Sequence, residues 1–158
     1  MTFTFGERSL QELEGCHPVL QRVAHAAIAI SAVDFGIYEG LRTAEEHMGE
    51  LRRGSSETLE SRHLVQEDGF SHALCVMPWT GTGWRKEWRL MQPVAEAMQQ
   101  AAFDEGVADR IRWGAIWDRT LADFGAGTPV SIDDALAAYA RRRPGATFLD
   151  GPHFELLS

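Results

Sequence analysis

The chain alternates amphipathic helical patterns with short apolar segments that are typical of strands. Apolar residues at helical spacing predict helices over residues 17–30, 43–53, 88–103 and 132–142. Strand patterns lie between and after them, over residues 35–40, 73–77, 110–113 and 153–157. Because the strands are short and the connections differ in length, the pattern favours an α+β domain with a small, mainly antiparallel sheet flanked by helices.

Local signals at the ends of these segments support the assignment. Pro18 stands in the first turn of the first helix, and Ser131 precedes the last helix as a candidate N-cap residue. Gly54 ends the second helix, and the polar stretch 54–70 is predicted to be a loop. The segment 79–84 lacks the lysine of a phosphate-binding loop, so we expect a hairpin turn there.

Length and composition indicate a single globular domain spanning residues 1–158, with 44% hydrophobic and 24% charged residues. The chain starts without a basic segment leading into an apolar run, and no stretch approaches about 18 consecutive apolar residues. We therefore expect neither a signal peptide nor membrane insertion. A formal net charge of -8 disfavours a nucleic acid partner. Cys16 and Cys75 are too few for a disulfide framework and are expected to be thiols, or in one case a metal ligand.

Three short segments carry histidine, cysteine and carboxylate side chains. They are residues 61–63 (Ser-Arg-His), 72–75 (His-Ala-Leu-Cys) and 150–155 (Asp-Gly-Pro-His-Phe-Glu). Zinc uses these ligand types, and catalytic zinc keeps three protein ligands with a carboxylate nearby as base. His63, Cys75, His153 and Asp150 would supply that set. On spacing alone, the default interpretation is loop histidines, a buried cysteine in a strand and a turn-forming aspartate.

A series of short motifs runs through nearly the whole chain. They are Phe5 to Leu10, His17 to Leu20, Val33 to Phe35, Gly40 to Thr43, Ser61 to Leu64, His72 to Leu74, Pro78-Trp79, Ile111 to Gly114, Trp117, and Asp150 to Leu156. In this order they resemble the zinc-dependent L-alanyl-D-glutamate endopeptidases of phages and bacteria and the related D-alanyl-D-alanine carboxypeptidases, the VanY-like family. The resemblance implies a zinc metallopeptidase that binds one zinc ion.

The resemblance also implies roles for individual residues. His63 and His153 match the family's two zinc-binding histidines, and Asp150 matches its general base. Arg42 matches an arginine that contacts the substrate or the oxyanion, for which a guanidinium is well suited. The resemblance further implies that four residues bind substrate: Arg42, Ser61, Trp113 and Trp117.

The third ligand departs from the family pattern. Where the family has an aspartate soon after the first histidine, this chain has the extra residues Val65 to Ser71 and then Cys75. Thiolate is a competent zinc ligand, so one expectation is a site of His63, Cys75 and His153. A second is that Asp68 or His72 replaces the missing carboxylate. A third is a site that binds metal weakly or not at all.

A second departure follows Trp113, where residues 114–117 read Gly-Ala-Ile-Trp instead of Gly-Gly-Asp-Trp and lack the acidic group. The long segment 118–147 is expected to form a surface helix, with a lid over the cleft as the alternative.

The expected function is that of a phage-type endolysin, which hydrolyses a peptide bond in the peptidoglycan stem peptide, either L-alanyl-D-glutamate or a D-amino-acid bond, and lyses the host cell wall. Such an enzyme is expected to be a monomer, made in the host cytoplasm and released to the wall after another protein permeabilises the membrane. The alternative is a catalytically impaired, peptidoglycan-binding pseudoenzyme of the same fold. Thiol chemistry at Cys75 is a third hypothesis, which His72 does not support because the two side chains are expected on opposite faces of the strand.

Overall fold

A computed structural model describes residues 2–53, 61–145 and 150–157. In chain order the helices and strands are α1 (Glu7–Glu14), α2 (Pro18–Ile30), β1 (Phe35–Glu39), α3 (Ala44–Arg53), β2 (Ala73–Pro78), α4 (Trp88–Asp104), β3 (Ile111–Gly114), α5 (Ile132–Arg142) and β4 (Asp150–Leu156). Short 3-10 turns lie at Ala108–Arg110 and Leu121–Asp123. Within these ranges, no helix has both the length and the apolar character that crossing a membrane requires.

The four strands form one antiparallel sheet in the order β1-β2-β4-β3. This confirms the predicted α+β class. Residues alternate between the two faces of each strand, so Leu74 and its cross-strand partner Phe154 point into the core while Cys75 and its partner His153 point to the other face. One face of the sheet is thus used for packing, and the opposite face carries the polar side chains.

The core lies between the sheet and the pair α2 and α4, which pack against each other. Their buried residues recur at helical spacing, as predicted, and most are small or aliphatic: Leu20, Val23, Ala24, Ala27, Val94, Met98, Ala101 and Ala102. Small residues on facing helices allow close approach and dense packing. The rigid layer below the sheet holds the strands in fixed positions for the polar face.

Most of the predicted elements are confirmed, with ends that differ by a few residues. Pro18 begins α2, and the Ser131 hydroxyl accepts the backbone N–H of Asp134 as the N-cap of α5. Trp79 and Trp84 form the predicted hairpin bridge. The predicted stop at Gly54 and part of the predicted loop lie outside the described residues.

Helix α1 was not predicted. It has only two turns, and only Ser9 and Leu13 are buried, so its apolar signal is short. Tertiary contacts hold it in place, since Ser9 Oγ accepts the backbone N–H of Ile37 at 3.0 Å and Glu12 accepts that of Gly40 at 2.9 Å. A helix this short is marginal on its own and forms because it packs against β1.

The extra residues Val65 to Ser71 fold into a compact turn. Val65 bridges to Ser71, and Gly69 adopts a φ of +87° at the reversal. The Ser71 N–H donates to Gly15 O at 2.8 Å, which fastens the turn to the chain just before α2. The turn returns the chain to the start of β2 at Ala73.

The segment after β3 ends in α5, a surface helix as expected. Ile132, Ala135 and Tyr139 are its buried residues, and Arg142 pairs with Asp118 through bonds of 2.7 and 3.0 Å. Leu136 is among the residues that line a cleft bordered also by Cys75 and Asp150. The helix therefore borders the cleft from a position that is anchored in the core.

Candidate active site

One row of neighbouring residues crosses the polar face of the sheet. Glu39 on β1 pairs with Cys75 on β2, and Cys75 pairs with His153 on β4. Directly paired residues in an antiparallel sheet have Cβ atoms about 5 Å apart, so these side chains share one small region. A register irregularity between Ile37 and Glu39 turns the end of β1 and brings Glu39 into the row.

His63 completes the arrangement from the loop before β2. Its Nε2 lies 3.5 Å from Cys75 Sγ, and His153 Nδ1 lies 3.9 Å from the same sulfur. The three ligand atoms all lie within 4.8 Å of one another. We call His63, Cys75 and His153 the sheet group. Tetrahedral zinc with ordinary zinc–sulfur and zinc–nitrogen bonds separates its sulfur and nitrogen ligands by about 3.5 Å, so the spacing fits such an ion.

Hydrogen bonds behind the histidines determine which ring nitrogens are available. His63 Nδ1 donates to Gly40 O at 2.8 Å, because a carbonyl oxygen only accepts. His153 Nε2 donates to Glu155 Oε1 at 2.8 Å. The other nitrogen of each ring therefore carries its lone pair toward Cys75. Such outer partners are typical of histidines that bind metal.

Glu155 is itself held by two arginines. Arg112 Nη2 donates to its Oε2 at 2.5 Å, and Arg62 Nε lies 3.4 Å from the same oxygen. Burial opposes ionisation of Glu155, but hydrogen bonds from His153 and Arg112 outweigh it and lower the pKa of the carboxyl group to about 2. A permanently ionised Glu155 keeps the proton of His153 on Nε2.

Burial also keeps His63 in the form that binds metal. The side chain is almost fully enclosed, and this burial, together with the nearby His153, lowers the pKa of His63 to about 3. His63 is thus neutral across the physiological pH range, as a ligand must be.

The pKa of Cys75 is shifted in the opposite direction. Its burial, with the negative charges of Asp150 and Glu39 nearby, raises the pKa of the thiol well above the ordinary value for cysteine. Cys75 is therefore a neutral thiol unless a cation replaces its proton. A reactive cysteine needs a lowered pKa, so this environment disfavours redox or nucleophilic chemistry even though His63 and His153 are within reach.

Asp150 and Arg42 face the cleft that Leu136 also lines. This cleft lies beside the sheet group and has a volume of about 720 Å³. Burial raises the pKa of Asp150, while His153 and Arg42 act in the opposite direction. The Arg42 guanidinium donates to Glu39 through Nε at 2.9 Å. The backbone N–H of Arg42 donates to the backbone carbonyl oxygen of His63 at 2.7 Å. Arg42 is thus positioned through both its side chain and its backbone.

Gly114 sets the position of Asp150. A Cβ on Gly114 would lie 2.3 Å from Asp150 O, so only glycine permits the strands to approach this closely. The register shifts at this point, where the Gly-Pro pair before His153 interrupts regular pairing.

Trp113, which was expected to bind substrate, is not among the residues that line the cleft. It is 1% exposed and stacks between Trp88 and Phe154, with ring centres 5.8 and 6.1 Å away. Its Nε1 donates to Gly151 O at 2.6 Å, so it positions the start of β4 from within the core.

Ser61 is likewise buried, and its Oγ accepts the N–H of His63 at 3.1 Å. Ser61, which was expected to contact substrate, thus positions His63 and is not among the residues that line the cleft. Trp117 is partly exposed, with its ring 5.4 Å from that of His153 and under the Arg112 guanidinium at 5.8 Å. Of the aromatic residues expected to bind substrate, Trp117 is the one beside the sheet group.

Asp68 and His72, the expected alternatives for the third ligand, lie in a separate group with His17, which we call the loop group. His72 Nε2 bonds to Asp68 Oδ2 at 2.7 Å, and His17 Nε2 lies 3.7 Å from the same oxygen. The described residues therefore favour Cys75 over Asp68 or His72. The turn at Val65 to Ser71 directs Asp68 toward α2 and away from the sheet group.

Three outer partners were not identified from the sequence: Glu39, Glu155 and the carbonyl of Gly40. Glu155 stands two residues after His153 in a strand, which places both side chains on the same face, and this spacing is a usable signal. Nothing in the sequence indicated Glu39 or the Gly40 carbonyl, because their positions depend on the turn at the end of β1.

Comparison with known proteins identifies the family of the chain. The model of the family described as phage L-alanyl-D-glutamate peptidase matches residues 1–126. The chain belongs to this family. It is 28% identical over 124 residues to the L-alanyl-D-glutamate peptidase of Escherichia phage T5, which covers 75% of this chain and 84% of that protein. Its fold matches the crystal structure of the Serratia marcescens L-Ala D-Glu endopeptidase ChiX with a TM-score of 0.68 and 31% identity, over 99% of this chain and 90% of ChiX.

Proposed function

We propose that this peptidase is a zinc-dependent endolysin that hydrolyses the L-alanyl-D-glutamate bond of the peptidoglycan stem peptide. The observation that carries the proposal is the sheet group, in which two oriented histidine lone pairs and one thiol converge beside Asp150. Family membership identifies the substrate class, since both compared relatives are named for this bond.

The residues of the sheet group suit zinc. Two neutral imidazoles and one thiolate form a common ligand set, and three protein ligands leave a fourth position open. When bound there, zinc would supply Lewis-acid activation of a water molecule and of the scissile carbonyl. Binding replaces the Cys75 proton, because only the thiolate is a ligand.

Asp150 is the proposed general base. It would accept the proton of the attacking water and deliver it to the departing amine of D-glutamate, so that hydrolysis yields one carboxylate and one amine. Burial of Asp150 raises its pKa, which makes the carboxylate a stronger base toward the attacking water in the first half of this transfer.

Arg42 is the proposed binding group for the substrate in the cleft. Its guanidinium lies among the residues that line the same wall as Asp150, and Glu39 limits its movement. A fixed guanidinium can bond to a peptide carboxylate in bidentate fashion or stabilise charge on the scissile carbonyl oxygen.

The phage family supports a proposal for the setting in which the chain acts. We propose that the chain is made in the host cytoplasm and, as a monomer, reaches the wall after the membrane is permeabilised, where cleavage of stem peptides lyses the cell. The net charge of -8 suits this role better than one on nucleic acid.

The test combines metal content with product analysis. Protein purified without added zinc is measured by inductively coupled plasma mass spectrometry, for the wild type, Cys75→Ser and His153→Ala. Purified peptidoglycan is digested in parallel and the products are identified by mass spectrometry. We expect about one zinc per chain in the wild type, a loss in both variants, and new D-glutamate amino termini.

Two outcomes would contradict the proposal. Zinc retained in Cys75→Ser would remove Cys75 from the ligand set. A wild type with stoichiometric zinc that leaves peptidoglycan intact would instead indicate a peptidoglycan-binding pseudoenzyme.

A further inference from the structure

The outer edge of the sheet carries an aromatic cluster that the proposed mechanism does not use. Trp79 and Trp84 stand at the two ends of the hairpin after β2, with ring centres 5.1 Å apart. The Trp84 ring also meets Tyr38 of β1 at 5.5 Å. Beside these rings lies a second depression of about 340 Å³, whose lining includes both tryptophans, Arg8 and Asp34. We call this depression the edge pocket.

The edge pocket is held in shape by its neighbours. A Cβ on Gly36 would lie 2.9 Å from the Trp84 ring and 2.9 Å from Ser9 Oγ, so glycine is what lets the ring lie against β1. The Arg8 guanidinium lies 5.3 Å from the centre of the Trp84 ring and 5.9 Å from that of Tyr38. Stacking with a cation limits the movement of both rings.

The edge pocket and the cleft lie on either side of the contact between Trp84 and Tyr38. Tyr38, which contacts Trp84, also lines the cleft. Gly36 pairs with Met77, and Met77 follows Cys75 by two residues on the same face of β2. Two residues of strand span about 7 Å and neighbouring strands lie about 5 Å apart, so Gly36, against which the Trp84 ring lies, is offset from Cys75 by about 7 Å along the sheet and by one strand across it.

The offset between the sheet group and the edge pocket is comparable with the length of the linkage between the scissile bond and the sugar of the substrate. In peptidoglycan, L-alanine is joined to N-acetylmuramic acid through a lactyl group. One residue and one linker of similar length therefore separate the scissile bond from the sugar ring. At roughly 3.3–3.6 Å per residue this distance is about 7 Å. A substrate whose scissile bond lies at the sheet group would thus extend its sugar toward the edge pocket.

The lining is also suited to a sugar. Trp79 and Trp84 offer aromatic faces for the apolar C–H face of a pyranose ring, while Asp34, Arg8 and Ser9 offer polar groups for hydroxyl and acetamido substituents. A concave site with aromatic walls and a few polar groups is the usual form of a small-ligand pocket.

We propose that the edge pocket binds the N-acetylated amino sugar of the glycan strand to which the stem peptide is attached. Trp84 and Trp79 form the stacking surface, and Asp34 and Arg8 bond to the polar substituents. The identity of the sugar rests on the proposed peptidase function, whereas binding itself does not require catalysis.

The kinetic test compares two substrates that share one peptide. One is the free stem tetrapeptide, and the other is the same peptide attached to N-acetylglucosaminyl-N-acetylmuramic acid. In Trp84→Ala the ratio of kcat/KM for the glycan-linked substrate to that for the free peptide is expected to fall about tenfold, the typical loss for a buried aromatic anchor. Trp84→Phe keeps an aromatic face and is expected to retain most of the ratio. Phe103→Ala, which removes an exposed aromatic side chain at the far end of α4, is expected to keep it unchanged.

Direct binding separates this proposal from the peptidase proposal. The peptide-free disaccharide N-acetylglucosaminyl-N-acetylmuramic acid is titrated into the wild type and followed by the NMR signals of the tryptophan indole N–H groups, with maltose as a control sugar. We expect shifts with the amino-sugar disaccharide and not with maltose, and a loss of binding in Trp84→Ala. Asp34→Asn provides a second, nearly isosteric variant in case Trp84→Ala fails to fold, and it is expected to weaken binding.

Absence of binding to the wild type at millimolar disaccharide would overturn the proposal, as would equal effects of Trp84→Ala on both substrates. If the disaccharide binds and no peptide is cleaved, the peptidase proposal fails and the sugar site remains.

Discussion

The sheet group and the loop group each contain two histidines and a third side chain, a thiol in one and a carboxylate in the other, that binds a cation when deprotonated, yet their surroundings differ. In the sheet group, His63 and His153 donate their N–H groups outward to Gly40 O and Glu155, so both lone pairs point inward. The three ligands are held by the sheet and by a buried loop.

In the loop group, the histidine nitrogens face a backbone N–H group and a carboxylate of the group itself. His17 Nδ1 accepts the backbone N–H of Val19 at 3.1 Å, which caps α2. A neutral His17 therefore carries its proton on Nε2, the atom that faces Asp68. Asp68 is exposed and bonds to His72. The loop group thus forms hydrogen bonds between a turn and a helix, and the two groups differ in the outer partners that orient their histidines.

The largest expected difference between the groups concerns the histidines themselves. His153→Ala is expected to lose both bound zinc and peptidase activity, because two remaining ligands do not hold the ion. The matched variant His72→Ala should keep both. Zinc content and the rate of stem peptide release measure the difference, and equal losses in the two variants would mean that both groups serve the metal.

Asp150→Asn separates catalysis from metal binding within the same region. The amide cannot accept the proton of water, so activity is expected to fall about 10²- to 10⁴-fold while zinc content remains unchanged. Because burial raises the pKa of Asp150, the wild-type activity should rise with pH through a range above that of an ordinary aspartate, where the base becomes ionised. Full activity in Asp150→Asn would show that another group is the base.

Glu155→Gln tests the outer partner of His153. The neutral amide holds the proton of His153 on Nε2 less strongly than the carboxylate does. We therefore expect zinc affinity to fall about 10- to 100-fold and activity to recover in excess zinc. Competition with a chelator of known affinity measures this change. Asp68→Asn, which alters the carboxylate of the loop group, is the control and should leave zinc affinity as it is.

His17→Ala is expected to have the smallest effect. It removes the cap acceptor of α2, which should lower the free energy of unfolding by about 1 kcal/mol with zinc and activity retained. Urea unfolding measures the change, and Asp68→Asn, which leaves the cap in place, should be closer to the wild type. Loss of zinc from His17→Ala would assign a metal to the loop group.

Much of the fold and half of the site could be predicted from residue patterns. Helical spacing predicted α2 and α4, and alternation predicted the strands, because both depend on local periodicity. Motif resemblance identified His63, His153 and Asp150 as candidates. Helix α1 was missed because its two turns depend on contacts with β1.

The roles of the tryptophans could not be predicted in this way. Trp113 matches a family motif as well as Trp117 does, but one is enclosed in the core and the other lies beside His153. Burial depends on how the sheet packs on α4, and no local pattern reports it.

The sequence by itself determined the α+β pattern, the family and the types of ligand available, since these depend on residue identity and spacing. Only the tertiary structure decided that Cys75 joins His63 while His72 and Asp68 turn toward His17. The reason is geometric: strand pairing places Cys75 opposite His153, and the turn at Val65 to Ser71 is fastened to the chain before α2. Hydrogen bonds from distant residues, such as Glu155 and the Gly40 carbonyl, then direct the lone pairs of the two histidines toward a common point.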